Sequence, residues 1–545
     1  MSFLRLLNRY LPFFILLLVF FAYLPCLKAG FVNWDDDVHI LKNYTLRASQ
    51  WPNLSEIWTT TVNYTYIPLT TTTWAIEHHF FGWSPFVFHL DNVLLHLVVT
   101  ALVIIFSRRM GLSSMAAALA GLIFGIHPIH VQSVAWATER KDVLYGVFYM
   151  SALLTYLYYI NTGRKECFWL TILLGMISIC AKPMAVSLPL VLLTLDWFRG
   201  RKWTFWVFAE KIFCVVFLVP IAYVSYINNS HLVEPAIGQG IFIWLWCLMF
   251  YLYKFLYPWP LVLFYGGQHL GSIFNPINYL NVLVFLGLLA LLWIFRRNRL
   301  FIFSFIFYFS GIFFLLRFHP FFDLVSDRYM YLPSIGLCMF LAVSIEKMFF
   351  WAQDQGLYLY ILKMAMGALV VFMGVTTWRQ CEVWQSSVKL WSNQLKYGPD
   401  TAMWLVYCKL ANAYAQTAKE PAFGAVAFNQ ACTLYQKSIH VKPDFAEAYF
   451  GMGDLWGMVG DWQKAEKYYK LAALYEHKDF EEFFKLGKVY QEKKIPQKAI
   501  GFYRRAMAAD PYLCPDIKEA YDDSIQRHES VKIYQGEISS MPNCR

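Results

Sequence analysis

The chain has 545 residues, of which 58% are hydrophobic, 19% aromatic and only 15% charged, with a formal net charge of +10. Soluble proteins carry about 25% charged residues, so this composition excludes a wholly soluble globular protein and points to an integral membrane protein. The positive balance does not imply nucleic acid, because the basic residues cluster as Arg108-Arg109, Arg164-Lys165, Arg199-Gly-Arg201-Lys202 and Arg296-Arg297-Asn-Arg299 in short gaps between apolar runs, the pattern of cytoplasmic loops.

A spanning helix needs about 20 apolar residues. Candidate runs lie near 10–28, 86–106, 114–127, 143–160, 167–181, 183–195, 205–227, 241–257, 279–295, 301–317, 331–350 and 357–377. The first lacks a small-x-small cleavage site and precedes many others, so it reads as a retained helix. With every basic gap in the cytoplasm, the N-terminus is inside, and the loops 29–85, 128–142 and 318–330 are outside. The basic gaps at 296–299 and 346–347 then demand an odd number of crossings. The run 241–257 continues into YPWPLVLFYGG, which reads as re-entrant, so about eleven crossings remain and the tail lies outside.

Residues 1–377 therefore form a membrane domain and 378–545 an extracytoplasmic one. In the tail, Tyr449, Met452, Gly453, Trp456, Ala465, Tyr469 and Ala472 recur 34 residues later as Phe483, Leu486, Gly487, Tyr490, Ala499, Tyr503 and Ala506, a tetratricopeptide signature. An irregular unit over 402–445, with an insertion around Lys419 to Val426, precedes the repeats 446–479 and 480–513, and a capping helix is expected after 515. The eleven cysteines mostly sit singly in apolar runs, with neither CxxC nor zinc spacing, and no metal centre is predicted from them.

Phe31-Val-Asn-Trp-Asp-Asp-Asp-Val-His39 sets three carboxylates beside the first apolar run. The second outer loop holds His127, His130, Gln132, Glu139, Arg140, Lys141 and Asp142; the 318–330 loop holds His319, Asp323, Asp327 and Arg328. His89, Asn92 and His96 share one helix face, His96 reading as a structural histidine. Carboxylates and guanidinium groups gathered on one side suit transfer from a phosphate donor: cations hold the leaving group and a carboxylate deprotonates an acceptor hydroxyl. Lys182, in the short AKP turn, is a further cation of this kind, with a helix C-terminal role as the other reading.

The blocks FVNWDDDVHILKN, YIPLTTTTWAIEHHFFGWSPFVFHLDNVLLH, HPIHVQSVAWATERKDVLY, CAKPMAVSLPLVLLTLDW and SDRYMYLPSIG closely resemble those of bacterial multispanning tetratricopeptide proteins, relatives of the eukaryotic tetratricopeptide-bearing protein O-mannosyltransferases. The resemblance implies an all-α fold: a polytopic helical bundle of glycosyltransferase-C type followed by a tetratricopeptide α-solenoid. It also implies a bacterial inner-membrane location and a polyprenyl- or dolichyl-phosphate sugar donor used on the extracytoplasmic face. The family's acidic pair falls on Asp35 and Asp36, one of them the base for an inverting transfer, while Asp37 is left as a solvated neighbour or a support. The HPxHxE pattern falls on His127, His130 and Gln132, followed by Arg140 and Asp142; an amide stands where an acid is usual and cannot act as a base or bring charge to a metal. Arg140, Arg328 and Lys182, with Lys141 behind them, are the expected donor-phosphate contacts. His127, His130, Gln132, Asp142, His89 and Asn92 are expected in support, no cofactor is assigned, and dependence on a divalent metal stays open.

The reading is a transfer of mannose or another hexose to a protein hydroxyl, the repeats presenting the acceptor; a glycolipid or glycan acceptor is a close variant. The alternative is a membrane-anchored tetratricopeptide scaffold for envelope proteins, whose outer-loop charges are structural. A transporter fits less well, because transporters set ionisable groups near mid-membrane and here most lie in loops. Asn43-Tyr-Thr and Asn63-Tyr-Thr match the N-glycosylation triplet, which arises often by chance.

Overall fold

The computed structural model describes residues 2–47, 53–63, 65–229, 240–266, 275–316, 324–418, 424–475, 480–493 and 495–509. His319, Asp323, the capping helix expected after 515 and part of the 419–426 insertion lie outside the described residues. The protein is all-α: among the described residues the extended pairings are two isolated bridges, Val62 with Thr65 and Tyr265 with Val325. The chain divides into two compact units, Met1–Pro399 and Asp400–Arg545.

In the first unit the helices are α1 (Ser2–Ala22), α2 (Tyr44–Arg47), α3 (Leu54–Thr59), α4 (Pro68–Phe81), α5 (Pro85–Arg109), α6 (Ser114–Ile126), α7 (Val131–Ala135), α8 (Arg140–Thr162) and α9 (Lys165–Ala181). They continue as α10 (Leu188–Arg199), α11 (Phe205–Asn229), α12 (Gly240–Leu256), α13 (Pro276–Ile294), α14 (Arg299–Ile312), α15 (Ser334–Ala352), α16 (Gly356–Val383) and α17 (Ser387–Tyr397). Their ends follow local chemistry. The Ser113 hydroxyl caps α6 by accepting from Ala116 N, α5 opens on Pro85 and closes on Arg108 and Arg109, and Gly163 ends α8 at φ 70°. Small residues let the bundle close: a Cβ on Gly336 would lie 2.8 Å from the Ser304 carbonyl oxygen, so α15 and α14 meet at backbone distance.

Among the described residues six helices are long and apolar enough to cross a membrane, and seven if the bent pair of Ser114–Ile126 with Pro128–Ala135 counts as one span. Other apolar helices are shorter, among them Gly240–Leu256 and Arg299–Leu315, below the ~20 residues of a straight crossing. The outward faces of α13 and α16 are apolar, with Leu283, Trp293, Ile294, Leu357, Met364 and Val371 exposed, as lipid-facing helices require. Charge is buried where it is balanced. Near the C-terminal end of α8, about 24 Å from Arg140 by helical rise, Asp196 and Glu210 pair with Arg201 and Lys211, and the Tyr156 hydroxyl donates to Asp196. Such closed pairing is what makes buried charge tolerable.

The first unit extends past the composition change at 377/378 because α17 packs back on the first loop: Gly30 N donates to Gln385 O at 3.1 Å and Trp391 Nε1 to Asn33 Oδ1 at 2.7 Å. Among the described residues the second unit contains three packed helix pairs, α18 (Met403–Thr417) with α19 (Gly424–Val441), α20 (Ala446–Met458) with α21 (Trp462–Tyr475), and α22 (Phe480–Glu492) with α23 (Pro496–Ala509). The repeated glycines have one purpose. A Cβ on Gly453 would sit 2.5 Å from the Tyr469 ring and one on Gly487 2.4 Å from Tyr503, so each pair closes on a tyrosine face that only glycine admits.

Candidate active site

The FVNWDDDVH stretch folds as a turn followed by a single π-helical turn, Asp37–Leu41, a geometry found disproportionately at functional sites. Its neighbouring aspartates have different surroundings. Asp36 is completely buried; its Oδ2 accepts from Val32 N and its Oδ1 from Thr138 N, both at 2.9 Å, and Oδ1 also accepts the Thr138 hydroxyl. It therefore fastens the first loop to the second. Burial pushes its carboxyl up to about 7, against the pull of those three hydrogen bonds. Asp35 is half-buried and sits at φ 61°, a left-handed backbone that few non-glycine residues adopt. Its carbonyl accepts from Val38 N and His39 N, but no hydrogen bond or ion pair holds its carboxylate among the described residues. Burial raises its pKa, opposed by Lys141 and Arg328 and assisted by Glu139 and Asp37.

Beside Asp35 stands a cation cluster with Glu139 at its centre. Lys141 Nζ and Lys182 Nζ lie 3.2 Å from its oxygens and Arg328 Nε 3.3 Å away. Lys182 also pairs with Asp142, which accepts the Ser133 hydroxyl at 3.0 Å. The guanidinium of Arg328 rests over the rings of Trp136 and Tyr329, at 5.5 and 4.9 Å from their centroids. Three cations thus gather around Glu139 and Asp142, next to Asp35.

Arg140 has a different place. It is fully buried, pairs with Glu77 (3.1 Å from Nη2) and Asp91 (3.0 Å), donates from Nε to Asn92 and reaches the Phe88 carbonyl at 2.8 Å. Its N–H groups are occupied in tying the start of α8 to α4 and α5. Burial pushes the Glu77 carboxyl up to about 7, with Arg140 opposing. The sequence marks Glu77 only as a lone charge in an otherwise uncharged helix, and marks Thr138 and Ser133 not at all.

The supporting residues mostly satisfy broken backbone. Pro128 interrupts α6 and α7, which meet at a 50° bend, and freed carbonyls need donors. His130 is bonded to Phe124 O (2.8 Å) and Ser334 Oγ (2.9 Å), His96 to Gly125 O (3.0 Å) and the Tyr331 hydroxyl (2.8 Å), and His127 to Phe255 O (2.9 Å). Asn92 donates to the carbonyls of Val134 and Trp136, and His89 lies 3.4 Å from that of Gly30. Gln132 accepts from Ser326 Oγ (3.0 Å) and Arg328 N (2.9 Å) and donates to Leu263 O (3.4 Å). Asp327 accepts the Tyr265 hydroxyl at 2.9 Å, and burial pushes it up to about 7 against the charge of Lys254. Among the described residues no three His, Cys, Asp or Glu side chains converge as a metal-ligand set.

No family model matches the chain. Among curated proteins, it is 32% identical over 178 residues to Protein O-mannosyl-transferase Tmtc1 of Drosophila melanogaster, covering 31% of this chain and 21% of that protein. It is 34% identical over 148 residues to TMTC2 of Mus musculus (26% and 18%), and 29% over 185 residues to TMTC4 of Homo sapiens (28% and 25%). The chain thus spans about a fifth to a quarter of the length of the relatives it matches. The oligosaccharyltransferase of Archaeoglobus fulgidus superposes with a TM-score of 0.39 and 11% identity, over 77% of this chain and 59% of that one, too loosely to argue from. The chain resembles the protein O-mannosyl-transferases over 26–31% of its own length.

Proposed function

We propose that this protein is a membrane glycosyltransferase that moves a sugar, mannose or another hexose, from a polyprenyl-phosphate carrier to a protein hydroxyl on the extracytoplasmic face. Asp35 takes the proton from the acceptor hydroxyl. The acceptor oxygen bonds to the anomeric carbon as the bond from that carbon to the donor phosphate breaks, with inversion, and the electron pair leaves on the lipid phosphate. Lys141, Lys182 and Arg328 receive that charge, while Asp36 and Arg140 hold the loops that carry the reacting groups. The helix pairs of the second unit bind the acceptor protein.

The observation that carries this reading is the asymmetry of the aspartates: Asp36 has every oxygen engaged, whereas Asp35 is held in a left-handed backbone beside Lys141 and Arg328 with its carboxylate unpaired. Backbone strain retained at a reactive group is typical of functional positions. The likeness to protein O-mannosyl-transferases supports the choice of donor and acceptor class. The test is mass spectrometry of extracytoplasmic proteins from cells making the wild type, Asp35→Asn or no protein. A hexose mass present only with the wild type is expected; its persistence with Asp35→Asn removes Asp35 as the base, and no difference among the three cell types refutes transfer and returns the scaffold reading.

A further inference from the structure

We propose that Gln132 is a positioning residue that sets the aim of Arg328, and that it does so because it is a neutral amide. The consequence for the reaction rests on the phosphate role proposed for Arg328.

Arg328 belongs to a short helical turn, Asp327–Met330. Its peptide is gripped by successive residues of α7: Gln132 Oε1 accepts the Arg328 N–H at 2.9 Å, and the Ser133 hydroxyl lies 3.5 Å from the Arg328 carbonyl. A chain then runs outward, in which Arg328 Nη1 donates to Ser326 Oγ and Ser326 Oγ donates to the same Gln132 oxygen at 3.0 Å. Through Nε2 Gln132 also holds Leu263 O at 3.4 Å, in the irregular stretch after α12.

That stretch and the Arg328 segment form one body. Tyr265 bridges to Val325, and its hydroxyl donates to Asp327. Other side-chain amides also meet its backbone: Gln394 accepts from Leu263 N at 2.8 Å and donates to Phe264 O at 3.1 Å, while Gln380 and Asn393 donate to Leu261 O at 3.3 and 3.0 Å. An amide suits this work because it offers both a donor and an acceptor without charge.

A carboxylate at 132 would keep both bonds accepted by Oε1. Its second oxygen would face the Leu263 carbonyl, acceptor against acceptor, and its charge would draw the Arg328 guanidinium away from a ligand phosphate. A leucine would lose all three bonds. Gln132 thus fixes the backbone under Arg328 without setting another carboxylate beside the one, Glu139, that its guanidinium already faces.

The test uses the full chain in a membrane mimic, with Gln132→Leu, Gln132→Glu and Arg328→Ala. Two readouts are hydrogen exchange over 324–330 and steady-state transfer from a polyprenyl-phosphate sugar. Gln132→Leu should speed exchange at the Arg328 amide and raise the donor KM, each about five- to ten-fold, as loss of one hydrogen bond implies, with a smaller change in kcat. Gln132→Glu should share the raised KM at neutral pH and recover as pH falls, because its protonated carboxyl can donate to Leu263 O. Unchanged exchange in Gln132→Leu, or a Gln132→Glu protein indistinguishable from wild type at every pH, overturns the positioning role. If exchange responds while neither Gln132→Leu nor Arg328→Ala alters the donor KM, Gln132 still positions Arg328, and it is the phosphate role of Arg328 that fails.

Discussion

Replacing each aspartate of the pair by asparagine should separate chemistry from stability. Asp35 has no side-chain partner to lose, and asparagine tolerates the left-handed backbone at φ 61° at least as well as aspartate. Asp35→Asn should leave the unfolding midpoint within about 0.5 kcal/mol of wild type, as for a substitution that removes no contact. Transfer should fall by about 10² to 10⁴-fold, the usual contribution of a general base. Asp36→Asn should do the reverse. Val32 N, Thr138 N and the Thr138 hydroxyl all point donors at its two oxygens. Whichever way the new amide turns, an NH₂ meets a backbone N–H in a site closed to water, and a buried group left unsatisfied costs about 1–3 kcal/mol. Thermal unfolding of the detergent-solubilised protein, followed by size exclusion, measures the stability arm; transfer to an acceptor peptide measures the other. A stable but inactive Asp36→Asn beside an active Asp35→Asn would refute the reasoning.

Three further outcomes follow from the same geometry. Burial raises the Asp35 carboxyl, and a base works only when ionised, so kcat/KM should fall as pH drops through that raised pKa; Lys141→Met, which removes a charge that lowers it, should move the acid limb to higher pH. Glu139→Gln leaves Lys141, Lys182 and Arg328 without their common counter-ion and should destabilise the protein by about 3–5 kcal/mol, the cost of breaking a buried pair, read as a lowered unfolding midpoint. Gly453→Ala presses a methyl to within 2.5 Å of the Tyr469 ring and should cost about 1–3 kcal/mol of overpacking, whereas Gly501→Ala, with nothing within 4 Å, should not destabilise.

Part of this protein could be read along the chain because it depends on neighbours in sequence. Apolar runs exclude water whatever they pack against, so the membrane character was legible from composition. The pairing of Gly453 with Tyr469 and of Gly487 with Tyr503 joins helices separated by a short turn, and that contact leaves its 34-residue echo in the chain. The individual duties of the charged residues were not legible in this way. Asp35 and Asp36 are adjacent and chemically identical, and what separates them is Thr138, 102 positions after Asp36, which closes on Asp36 and leaves Asp35 open. Arg140 and Lys141 are likewise adjacent cations, yet Glu77 and Asp91 enclose the first while the second joins Glu139 with Lys182 and Arg328. Ionisable groups near a low-dielectric interior take their roles from the charges and donors packed within a few ångströms, and here those partners come from distant parts of the chain that only the folded bundle brings together.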